Sequence, residues 1–76
     1  MTSAQIRAAR ALLGWSQTEL AKAAGLSRPT IDRAERTGAV SDDALATMRK
    51  AMEKAGVIFQ DENGEGPGVR LRKAKR

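Results

Sequence analysis

Apolar residues recur at helical spacing through the first part of the chain, and capping residues divide that pattern into four helices. In the first, Ile6, Ala9 and Leu13 share a face, with Leu12 beside them. Thr2 stands three residues before Gln5, which predicts a capping box, and Gly14 ends the helix. Trp15 follows and is expected to pack as a staple on the second helix; a ligand or base platform is the alternative. Ser16 and Glu19 form another capping box, Leu20, Ala21 and Ala24 give a stripe, and Gly25 stops this helix, predicted over 17–24. Leu26 fills a turn. Ser27 is the next N-cap, and Pro29 is tolerated only in the first turn of the third helix, predicted over 28–36 with Ile31 and Ala34 inward and Gly38 capping its end. Ser41 caps the fourth helix, where Asp42 and Asp43 complement the N-terminal dipole. Leu45, Met48 and Met52 are expected to face the core, with Arg49, Lys50, Glu53 and Lys54 largely opposite and Gly56 at the end. The second and third helices are too short to stand alone, so they must pack on each other across Gly25-Leu26-Ser27 and on their neighbours. This is helix-turn-helix grammar.

After Gly56 the period changes. Val57-Ile58-Phe59-Gln60 is β-branched and aromatic, Val69-Arg70-Leu71-Arg72 alternates apolar with basic, and Asn63 to Gly68 reads as a loop. A β-hairpin of 57–61 with 69–73 is predicted. Pairing Phe59 with Val69 sets Val57 opposite Leu71, all four on one face, with Ile58 and Arg70 on the other. An isolated hairpin is marginal, so it must pack on the helices, pair with another hairpin, or both. The alternative is a disordered basic tail. The expected fold class is therefore mostly α: a four-helix helix-turn-helix unit over 1–56, then a hairpin with a basic tail over 57–76.

A chain of 76 residues is one small domain with a modest core. It has no Cys and no His, which removes disulfides, thiolate metal sites and the usual general base. No metal, cofactor or enzymatic activity is expected. No apolar run is long enough to span a membrane, and the polar N-terminus lacks a signal-peptide core, so a cytoplasmic location is expected. The net charge of +5 suits a polyanionic partner. The tail from Arg70 holds Arg72, Lys73, Lys75 and Arg76 with no acid among them.

Arg10, Ser16-Gln17, Leu20-Ala21, Ala24-Gly25-Leu26-Ser27, Thr30-Ile31 and Glu35 run in the order found in the lambda-repressor-like (Cro-type) helix-turn-helix family, which the chain resembles from about Ser3 to Gly56. Arg10 lies on the stripe of Ile6 and Leu13, and a cation there needs a partner. Glu35 follows Ile31 by four residues and is the candidate; the resemblance implies an Arg10–Glu35 salt bridge between helices 1 and 3. It also implies that helix 3 reads the DNA major groove, with Ser27, Arg28, Pro29, Thr30 and Arg33 at the base edges. Arg28 and Arg33 can each donate two hydrogen bonds to guanine. Asp32 either accepts from cytosine or orients Arg28 or Arg36. Ser16, Gln17, Arg36 and Thr37 are the phosphate candidates, Arg7 and Lys22 weaker ones, and the basic tail adds others.

Two departures stand out. Many members of that family carry Gln where this chain has Arg28 and Pro29, and many add a fifth, dimerising helix where this chain has its hairpin. The expected function is a sequence-specific regulator of double-stranded DNA, a repressor acting as a homodimer on a palindromic operator. Val57, Ile58, Phe59, Val69 and Leu71 are the expected dimerisation residues. The alternative is an antitoxin-type or protein-interaction module on the same fold, and a toxin or inducer as a further partner stays open. Acidic substitutions on helix 3 would favour lost DNA binding, but that helix carries Arg28, Arg33 and Arg36 against Asp32 and Glu35.

Overall fold

Four helices precede a two-stranded antiparallel sheet: α1 (Ser3–Leu13), α2 (Gln17–Ala24), α3 (Arg28–Arg36), α4 (Asp42–Lys54), β1 (Val57–Gln60) and β2 (Gly68–Leu71). The structure is a computed structural model that describes residues 1–60, 64 and 66–72. Expectations for Lys73, Lys75, Arg76, Asn63 and Glu65, and for the strand ends at 61 and 73, lie outside the described residues.

Each helix begins where a side chain replaces a missing intrahelical partner. Thr2 Oγ1 accepts from the Gln5 amide at 3.1 Å while Gln5 Oε1 accepts from the Thr2 amide at 2.8 Å. Ser16 and Glu19 repeat the arrangement at the start of α2, at 3.1 and 2.9 Å. Ser27 and Ser41 cap α3 and α4 through their hydroxyls. Gly14 and Gly25 end α1 and α2 in left-handed backbone, both at φ 67°. For α3 and α4 the capping residues are instead Thr37 and Ala55, and the left-handed glycines Gly38 and Gly56 follow one position later.

Ile6, Leu20, Ile31, Met48, Met52 and Val57 are the large, fully buried side chains, so every helix and the first strand feed one core. Packing is uneven at its margin. Leu12 is 42% exposed, because the buried face of α1 runs through Gln5, Ile6 and Ala9. In α4 the buried stripe is Ala44, Met48 and Met52, a strict four-residue step that leaves Leu45 half-buried on its flank. Arg49, expected opposite the core, is half-buried, and its guanidinium lies 5.3 Å from the Phe59 ring centroid.

The hairpin register pairs Val57 with Leu71, Ile58 with Arg70, Phe59 with Val69 and Gln60 with Gly68. Burial across those pairs is uneven. Val57 and Phe59 are buried, Val69 is half-buried and Leu71 is 44% exposed, because β1 packs on both α1 and α4 while β2 packs on α1. Gln5, itself buried, fastens the loop end of the hairpin: its Nε2 donates to the carbonyls of the paired residues Gln60 and Gly68, both at 3.0 Å. At the other end the Arg72 amide donates to Gly56 O, and Arg72 Nη2 donates to Glu53 O at 3.0 Å, covering a carbonyl in the last turn of α4.

Candidate nucleic-acid interface

Helix α3 presents Arg28, Pro29, Arg33 and Arg36 to solvent, with Ser27 and Thr37 exposed at its two ends and Thr30 half-buried. The helix is held from behind by Ile31, Ala34 and Glu35, all buried. Its pattern leaves little choice of orientation: those inward positions fall on one face, and the arginines fall elsewhere.

Arg10 and Glu35 join α1 to α3 through two hydrogen bonds, Nε to Oε2 at 2.7 Å and Nη2 to Oε1 at 3.0 Å, a fork-to-fork geometry. Arg10 Nη1 also donates to Trp15 O at 2.9 Å, which ties down the α1–α2 connection where the half-buried Trp15 packs against the core. The hydrogen bond to Glu35 is the main reason the Arg10 guanidinium holds its proton more tightly than usual.

Gln17 links the start of α2 to α3. Its Nε2 donates to Glu35 Oε1 at 3.2 Å and, more weakly, to Asp32 Oδ1 at 3.5 Å, while its Oε1 accepts from Arg28 Nη1 at 3.0 Å. Arg36 Nε donates to Asp32 Oδ2 at 2.8 Å, and this bond is the main cause that holds the Asp32 carboxyl below its ordinary range. Asp32 therefore faces Arg36 and Gln17. Ser27 and Thr30 share a hydrogen bond between hydroxyls at 2.8 Å, and Thr37 Oγ1 donates to Arg33 O at 3.1 Å. The Ser16 hydroxyl is occupied by its cap. Arg33 is the one arginine of this face whose guanidinium has no hydrogen bond to the described residues.

The Helix-turn-helix family model matches residues 6–55. The chain belongs to the lambda-repressor-like helix-turn-helix family. That family is one of DNA-binding transcription regulators. The match covers the four helices almost end to end and stops short of the hairpin. No curated protein matches the chain. Among the described residues, no group of acidic side chains is placed to hold a metal ion, and no helix is long and apolar enough to cross a membrane.

Two exposed basic residues offered for phosphate contact also bond to helix ends. Arg7 Nη1 donates to Glu35 O at the end of α3, and Arg72 covers the end of α4. Three polar side chains with structural roles were not singled out for them by sequence reasoning. Ser3 Oγ donates to Ala34 O at 2.7 Å, Arg7 takes the next carbonyl, and Gln5 holds the hairpin. A signal existed for the first two: Ser3, Arg7 and Arg10 follow at i, i+4 and i+7, one stripe of α1. Gln5 carried no such signal, because its capping role accounted for it locally.

Proposed function

We propose that this protein is a sequence-specific repressor that occupies an operator as a homodimer, with α3 of each copy in a major groove. The observation that carries this reading is the outward face of α3, where Arg28 and Arg33 are exposed on a helix anchored from behind by Glu35. Arg28 reads a base once it leaves Gln17 Oε1, and the amide groups at the start of α2, with the Gln17 side chain so released, meet a phosphate. Ser27, Pro29 and Thr30 line the same end of α3 for contact with base edges, and Arg36 and Thr37 flank the backbone at its other end. The protein acts as a binding protein and not as an enzyme.

The homodimer is supported by the hairpin. Antiparallel pairing alternates, and the Arg72–Gly56 hydrogen bond sets its phase. By that alternation the backbone groups of Val57 and Phe59 point to the outer edge of β1, and those of Val69 and Leu71 to the outer edge of β2. The β1 edge carries no charge, whereas two β2 edges would bring Arg70 against Arg70. Two copies joined antiparallel through β1, centred on Ile58, would bury both Ile58 side chains at the two-fold axis and extend one sheet across it.

Selection of bound sites from random DNA tests the function. A palindromic consensus is expected, and Arg28→Ala or Arg33→Ala should each relax selection at one base pair per half-site, a discrimination of roughly 1–3 kcal/mol. Recovery of no consensus from the wild-type protein would overturn the reading.

A further inference from the structure

We propose that Ser3 and Arg7 are positioning residues for base reading, setting the pose of α3 by clamping its C-terminal carbonyls to α1. The proposal rests on the reading of α3 as the recognition helix. The last four carbonyls of a helix lack intrahelical partners. In α3, two of the carbonyls near that end accept from α1: Ser3 Oγ donates at 2.7 Å to Ala34 O, which the Gly38 amide also reaches, and Arg7 Nη1 donates to Glu35 O. One turn further along α1, Arg10 grips the Glu35 side chain. The two guanidinium groups also stand at the negative pole of α3, where cations are favoured. The approach is close. A Cβ at Gly38 would come within 3.2 Å of Ser3 Oγ, and Gly38 has φ 73°.

Clamping this end matters because the base readers sit at the other. Arg28 opens α3 and Arg36 closes it, nine residues in all. At 1.5 Å per residue the helix spans about 14 Å, so a tilt of about 5° about the clamped end moves Arg28 by about 1 Å. A shift of that size degrades a two-pronged hydrogen bond, whose distances have a narrow range. Attraction to phosphate hardly notices it, since the field between charges decays over roughly 10 Å at moderate salt. Loosening the clamp should therefore lower affinity for the selected operator and leave affinity for random DNA in place.

Ser3→Ala, Arg7→Ala and Arg7→Lys test this, with binding measured to the selected operator and to random duplex across a salt series. Each alanine variant is expected to bind the operator roughly tenfold more weakly, with random-duplex affinity and the salt slope unchanged. Arg7→Lys, which keeps a donor and the charge, should restore much of the loss. If Arg7→Ala instead weakens all sequences equally and lowers the salt slope by about one, Arg7 is a phosphate contact and its positioning role is overturned. Operator affinity unchanged in both alanine variants would overturn the clamp. Hydrogen exchange gives a readout independent of DNA. The Thr37 and Gly38 amides close the end of α3 on the carbonyls of Arg33 and Ala34, and both should exchange faster in the two alanine variants. Unchanged exchange also overturns the clamp. If the wild-type protein selects no sequence, the DNA-binding reading fails, and the exchange data still decide whether the clamp exists.

Discussion

At the scale of single residues, the Arg10–Glu35 pair is the most demanding feature. The Glu35 side chain is 4% exposed and that of Arg10 25% exposed, so the carboxylate depends on its partner more than the cation does. Arg10→Met would strand Glu35, and urea unfolding should show a loss of about 3 kcal/mol or more. Combining Arg10→Met with Glu35→Leu should recover most of it, because no charge is then left buried without a partner. A double variant no more stable than Arg10→Met would count against this account. Asp32 gives a pH-dependent counterpart at the surface. Its carboxyl is held low chiefly by the hydrogen bond from Arg36, so the stability it contributes is present above the ordinary Asp range, about pH 4, and is lost as pH falls through its folded value. In Arg36→Ala, an NMR titration should find the Asp32 midpoint raised toward the ordinary value; an unmoved midpoint would show that Arg36 is not the cause.

At the scale of elements, α1 does more than cover the core. One polar stripe, Ser3, Arg7 and Arg10, holds the end of α3, while Gln5 holds the hairpin through two carbonyls. Gln5→Glu separates the two tasks of that residue. A glutamate preserves the capping box with Thr2 but turns a donor to Gln60 O and Gly68 O into a repelled carboxylate. The expected outcome is intact α1 helicity by circular dichroism with faster amide exchange at Ile58 and Arg70, the inward-bonded pair of the hairpin. Equal protection of those amides in the variant and the wild type would mean that the strands dock without Gln5. Helix starts and stops were legible in the sequence because a cap is a contact within four residues. The Gln5 contacts were not, since they cross 55 and 63 positions of chain.

At the scale of the whole molecule, the hairpin closes the core and offers the edge on which the proposed dimer depends. Val57 and Phe59 belong to the core cluster, so a chain ending at Gly56 would lose fold and interface together. Ile58 is the better probe, being half-buried on the opposite face of the sheet. Sedimentation should show the wild type as a dimer and Ile58→Lys as a folded monomer that binds a palindromic operator far more weakly than the wild type. A dimeric Ile58→Lys would move the interface away from the centre of β1.

Local rules, readable without any fold, determined the order of four helices and a hairpin. Capping boxes, left-handed glycines and apolar periodicity act over a few residues, and the register of the hairpin followed from which residues could share a buried face. The approach of Glu35 to Arg10 was also legible, because both charges lie on apolar stripes that must turn inward. What the tertiary structure alone decided is the use of side chains whose local pattern was already satisfied or simply polar. Arg7 and Arg72 resemble solvated cations in one dimension. Folding brings each against a carbonyl at the end of another helix, where a cation is favoured by the helix dipole. The exposure of Leu71 is likewise a fact of packing: alternation chose its face, but only the placement of α4 beneath β1 decided which half of that face would be covered.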